Sequence, residues 1–139
     1  MENKDVLRGG INKGMLQLSA REAFAELQKD AILIDIREDY HAAMKTFLVE
    51  NYCSLPLSIF DENIINLPAD RLLVVADATG LHSKTAAEKL LQKGFLRVAN
   101  LAGGIIDWER DGFPVNKDPS QQLTGQCPCM LKNMNKKKS

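Results

Sequence analysis

The chain has 139 residues, the size of one ordinary domain, and its 45% hydrophobic and 26% charged residues exclude a disordered or low-complexity protein. Its formal net charge is zero, so no overall field points to nucleic acid. The zero hides an asymmetry: from Asn116 onward there are five lysines and one aspartate, +4, against −4 for the rest.

No apolar run approaches the roughly 20 residues of a membrane span, and Met1–Gly14 lacks the apolar stretch of a secretory signal. Three cysteines, Cys53, Cys127 and Cys129, are too few and too uneven for a disulfide framework. The expectation is a cytoplasmic protein that contacts neither membrane nor nucleic acid.

In chain order, residues 1–14 read as a flexible N-terminal arm. Met15–Leu18 predicts a short strand. Ser19-Ala20-Arg21-Glu22 is a capping box, in which hydroxyl and carboxylate each satisfy an orphan backbone N–H, and it predicts a helix carrying Ala23, Phe24 and Leu27. Ala31–Ile36 is almost wholly apolar and rich in Ile, which predicts a strand buried on both faces and hence a parallel sheet. A short helix is expected over Tyr40–Met44. Lys45–Glu50 carries no clear pattern. Tyr52–Leu55 reads as a strand stopped by Pro56, and Ser58–Asn66 as a helix broken at Pro68.

Leu72-Leu73-Val74-Val75 is a short apolar run of the buried-strand kind. A small-residue loop, Ala76 to Gly80, follows, and then a helical pattern to about Lys93, stopped by Gly94. A strand that ends in a tight loop and launches a helix converges backbone N–H groups on one point and makes an anion cradle. The residue at the strand end is Asp77. Phe95–Leu101 predicts another strand, and Gly103-Gly104 a small helix through Ile105, Trp108 and Glu109. Past Val115 the composition turns polar. Strands alternating with helices predict a three-layer α/β fold with ligands beyond the carboxyl ends of the strands.

Four pieces of sequence resemble the single-domain rhodanese-like family: Leu33-Ile34-Asp35-Ile36-Arg37-Glu38; Leu55-Pro56-Leu57; Val74-Val75 with Gly80 and Ser83–Ala87; and Leu101–Trp108 with Gly112-Phe113-Pro114-Val115. The resemblance covers residues 15–115 and leaves 116–139 as a polar, basic tail. It implies a five-stranded, mainly parallel sheet flanked by helices. It also implies an active loop at Asp77, Ala78, Thr79, Gly80, Leu81, His82 and Ser83, supported by Asp35 and Arg37, with no cofactor and no metal.

The family's chemistry places a cysteine at the strand end, whose thiolate takes sulfur from a donor and holds it as a persulfide. In this chain that position is Asp77, and His82 falls where the family often has an anion-binding arginine. Thr46–Asn51 replaces the family's usual segment before the next strand. A carboxylate lacks the soft sulfur that accepts a sulfane sulfur, and it is itself an anion aimed into an anion cradle. The expectation is a domain without thiosulfate sulfurtransferase activity at its own loop, acting as a binding or regulatory module for a protein partner or small molecule.

Asp77 reads as a structural loop anchor or, alternatively, as a general base or nucleophile. His82 reads as solvent-facing or paired with Asp77, and His41 is the second histidine. Asp35 with Arg37 reads as a structural pair or a direct ligand contact. Trp108 and Cys53 read as core. Cys127-Pro128-Cys129, among tail lysines that favour thiolate, reads as an incidental tail or as a pair that binds a soft metal, cycles between dithiol and disulfide, or carries sulfur in place of the missing loop cysteine.

Overall fold

The structure, a computed structural model, describes residues 11–12, 15–42 and 44–117. The tail cysteines and most of the expected arm lie outside the described residues. Five strands form a parallel sheet in the order β2 (Met15–Leu18), β7 (Val98–Leu101), β6 (Leu73–Ala76), β3 (Ile32–Asp35) and β5 (Tyr52–Ser54). This is the α/β arrangement that the alternating pattern predicts.

Helices cover both faces, and the reason is legible in the strands. β3, β6 and β7 are buried at every position, so each alternates its side chains between two apolar layers. One layer combines Ile32, Ile34, Leu73, Val75 and Val98 with Phe60 of α3 (Phe60–Asn63) and Ala86, Ala87 and Leu90 of α4 (Leu81–Gln92). The other combines Leu18, Leu33, Val74, Ala99 and Leu101 with Ala20, Ala23 and Leu27 of α1 (Ala20–Leu27) and Ile105 and Trp108 of α5 (Gly104–Arg110).

The local signals act as their chemistry dictates. Ser19 Oγ accepts from Glu22 N at 3.1 Å and Glu22 Oε1 accepts from Ser19 N at 2.9 Å, closing the capping box of α1. Gly94, at φ 104°, ends α4 in a Schellman motif: its N–H reaches Leu91 O and that of Phe95 reaches Leu90 O, both at 3.1 Å.

Four stretches differ from expectation. Ile11–Asn12, read as part of the arm, forms β1 and pairs antiparallel with β2 at the sheet edge. The helix expected over Ser58–Asn66 is three short pieces: 3₁₀ turns at Leu57–Ile59 and Ile64–Asn66 flank α3, with Ile59 N bonded to Pro56 O and Leu67 N to Ile64 O in three-residue turns. The last sheet strand begins at Val98, not Phe95. The patternless Lys45–Glu50 contains β4 (Thr46–Phe47), which pairs antiparallel with β8 (Val115–Asn116), so a ladder crosses the boundary drawn at residue 115. A two-residue strand has no readable period; only its distant partner reveals it.

Candidate functional site

β3 and β6 are neighbours in register, with Asp35 opposite Ala76. The residues that follow them therefore emerge side by side at the carboxyl end of the sheet. Asp77, directly after β6, is 4% exposed. Its carboxylate turns back into the loop that it starts. Gly80 N donates to Oδ1 at 2.5 Å and His82 N donates to Oδ2 at 2.9 Å. Ser83 Oγ lies 3.3 Å from Oδ1 and closer to Asn100 Oδ1. The His82 ring, strongly exposed, holds Nδ1 at 3.5 Å from Oδ2. Two of the N–H groups at the start of α4, those of Gly80 and His82, are thus met by the chain's own carboxylate. Ala78, Thr79 and Leu81 are exposed around it, and Gly80 and Ser83 are buried.

The loop is held from behind by the helix that follows β7. Ile105 N donates to Asp77 O at 3.0 Å and Ile106 N to Ala78 O at 3.2 Å. Loop carbonyls thereby cap the first turn of α5. This close approach explains the second glycine of the pair: a Cβ on Gly104, which sits at φ 59°, would meet Ala78 C and O at 2.4 Å. Asn100, inside β7, ties the loop to the sheet by donating from Nδ2 to Gly80 O at 3.2 Å and to Gln17 Oε1 at 2.9 Å.

The neighbouring corner is built on Asp35, fully buried. Arg37 donates to it bidentately, Nε to Oδ1 at 3.0 Å and Nη2 to Oδ2 at 2.8 Å. Tyr52 Oη donates to Oδ2 at 2.6 Å. Burial opposes the Arg37 charge more than any other single influence, yet the hydrogen bond and charge of Asp35, with Tyr52, hold its pKa above the ordinary arginine value. Burial first, then the adjacent Asp35 charge, push the Tyr52 phenol far above the ordinary tyrosine value. The guanidinium also lies 5.6 Å from the centroid of Phe47, whose ring packs edge-on against Trp108.

Between the two corners opens a cleft of about 470 Å³, lined by Ile36, Arg37, Glu38, Leu57, Asp77, Ala78 and His82. Glu38 is engaged at its rim, accepting from Ser58 N at 3.1 Å and Ser58 Oγ at 2.9 Å. The structure therefore brings Asp77, Gly80, His82 and Ser83 together and sets Asp35 and Arg37 beside them. Cys53 is buried in β5, and Cys127 and Cys129 lie outside the described residues. Among the described residues, no group of three or more His, Cys, Asp or Glu side chains is placed to hold a metal ion, and no helix is long and apolar enough to cross a membrane.

Sequence reasoning missed Tyr52, Asn100 and Gln17. Asn100 carried a readable signal, a polar residue inside an apolar strand, which must find buried partners. Tyr52 carried none, since a tyrosine is ordinary in a strand.

A parallel sheet with a strand–loop–helix cradle at its carboxyl end defines an α/β domain of the anion-loop type. Residues 19–111 match the family model of the rhodanese-like domain, and the chain belongs to that family. It is 36% identical over 98 residues to a sulfurtransferase of Allochromatium vinosum, covering 70% of this chain and 87% of that protein. A rhodanese-related protein from Thermoplasma volcanium superposes with a TM-score of 0.65 at 27% identity, over 72% of this chain and 96% of that one. The polysulfide-sulfur transferase homodimer from Wolinella succinogenes superposes with a TM-score of 0.66 at 26% identity, over 74% and 79%.

Proposed function

We propose that this rhodanese-like domain binds rather than transfers at its 77–83 loop. Asp77 stands in the family's sulfur-accepting cysteine position, and the observation that carries the reading is its carboxylate bonded to Gly80 N and His82 N. Those donors are the ones a thiolate or persulfide would need. The tethered Asp77 carboxylate occupies them and repels a second anion. The cleft is left to an occupant that does not need the anion seat, with Ile36, Leu57 and Ala78 offering apolar contact and Arg37 and His82 polar contact.

The test is turnover of thiosulfate and cyanide by the whole chain. The expected result is no turnover at the loop; activity that persists in the double variant Cys127→Ser, Cys129→Ser would falsify the reading. Asp77→Cys is expected to gain sulfurtransferase activity, because it places a thiol beneath the same two N–H groups.

A second reading has the tail carry sulfur. It is favoured by relatives named for sulfur transfer and by Cys127 and Cys129 in this chain. A tail thiolate would attack the terminal sulfur of a persulfide donor; the donor's S–S bond breaks, the donor leaves as a thiolate, and the tail holds the new persulfide. Mass spectrometry after exposure to a small persulfide checks it, a 32-dalton-class sulfur adduct on Cys127 or Cys129 being the expected mark (about 32 Da for one sulfur).

A further inference from the structure

The last described strand pairs with β4, whose Phe47 lies against Arg37 of the cleft wall. β8 pairs Val115 with Phe47 and Asn116 with Thr46, so the chain runs back along β4 towards its beginning. β4 begins just after α2 (Asp39–Ala42), and Thr46 Oγ1 donates to Ala42 O at 2.6 Å. α2 in turn follows the Arg37–Glu38 corner that walls the cleft. The exit is clamped there. Glu109 receives Lys117 Nζ at 2.8 Å and also pairs with Lys45 Nζ. Phe47, the ladder partner of Val115, places its ring under the Arg37 guanidinium.

Distances follow from these contacts. One ladder step, one phenylalanine side chain and the 5.6 Å from the Phe47 centroid to Arg37 Cζ put the cleft wall on the order of 15 Å from Val115. Ten residue steps separate Lys117 from Cys127, and a chain of that length spans up to about 35 Å. Reach exceeds need by about twofold on these figures. The segment Cys127-Pro128-Cys129-Met130-Leu131 is uncharged and carries soft or apolar side chains, which suits a cleft whose anion seat Asp77 already fills and whose walls include Ile36, Leu57 and Ala78.

We propose that the occupant of this cleft is the chain's own Cys127–Leu131 segment, docked in cis beside Asp77. The proposal rests on the binding reading of the loop and names its partner. Docking there would set the two tail thiols at the mouth of the cleft while the Asp77 carboxylate keeps the N–H groups occupied.

Disulfide trapping in the full chain tests it. Ala78→Cys puts a thiol in the cleft; Leu96→Cys puts one on an 87% exposed site before β7, at the opposite end of the parallel sheet. Buried Cys53 does not compete. Under mild oxidation, Ala78→Cys is expected to join Cys127 or Cys129 within one molecule at least about tenfold faster than Leu96→Cys, at a rate independent of protein concentration. Equal rates at the two sites overturn the proposal, and so does a product between molecules that grows with concentration, which would make the occupant a second copy. Should Ala78→Cys fail to fold, a nitroxide on Cys127 in Cys129→Ser reads the same contact: amide signals of Ala78 and His82 should broaden and that of Leu96 should not. Uniform broadening, or none, overturns docking. Thiosulfate turnover at the loop would instead sink the binding reading while leaving both contact measurements intact.

Discussion

Two carboxylates end neighbouring strands of this sheet, and they are satisfied in opposite ways. Asp35 is neutralised by side chains, the Arg37 guanidinium and the Tyr52 phenol, in a corner closed to water. Asp77 is satisfied by backbone, the N–H groups of Gly80 and His82, at the edge of an open cleft. The buried side-chain partners of Asp35, Arg37 and Tyr52, are left unpaired by its loss. Backbone partners belong to the loop and serve any anion of the right size. The first corner is therefore part of the folding energy, and the second is an exchangeable seat.

The largest expected effect is at Asp35. Asp35→Ala leaves a buried arginine without its counter-charge and should cost about 3–5 kcal/mol in a urea melt; a loss no greater than that of Asp77→Ala would break the contrast between the corners. Tyr52→Phe removes a hydrogen bond to a charged acceptor and should cost about 1.5–3 kcal/mol. It also has a pH signature. The phenol's folded pKa is raised above the unfolded value near 10, so its contribution is complete below that value and is lost as pH rises beyond it. Stability of the wild type should fall above pH 10 more steeply than that of Tyr52→Phe.

Asp77→Ala removes a cap-like carboxylate and should cost about 0.5–2 kcal/mol. The sharper readout is the vacated seat: added sulfate should raise the melting temperature of Asp77→Ala and leave the wild type nearly unchanged. Equal responses would mean that the carboxylate does not hold the cradle.

Glu109 carries the smallest effect. Hydrogen bonds from Lys117, then Lys45, hold its pKa below the ordinary glutamate value. Its contribution is present above the unfolded pKa and is lost as pH falls through the lower folded one. Acidification below the usual carboxylate range should loosen the β4–β8 exit, seen as a lower amide-exchange protection factor at Asn116 once the intrinsic pH dependence is removed, and Glu109→Gln should show that lower protection already at neutral pH.

Much of this was legible in order along the chain. The capping box at Ser19 and Glu22, the stop at Gly94 and the doubly buried strands are local or periodic, so residue type and spacing suffice to place them. The anion cradle was readable for the same reason: a strand, a small-residue loop and a helix are consecutive, and Asp77 sits between them. Gly103-Gly104 could be recognised in the sequence, but its reason lies in contact, because only the folded chain brings Gly104 against Ala78.

What the sequence by itself determined is the set of elements, their parallel arrangement and the presence of a carboxylate at the mouth of the loop, all consequences of short-range pattern. Tertiary structure alone decided which way that carboxylate turns, that Tyr52 shares Asp35 with Arg37, that Asn100 ties the loop to the sheet, and that β4 and β8 pair with each other. The last three depend on pairs of groups 17 to 83 positions apart, from Tyr52 with Asp35, through Asn116 with Thr46, to Asn100 with Gln17. No local period records such a pairing, because the energy that fixes it is released only when the sheet has brought both partners into one place.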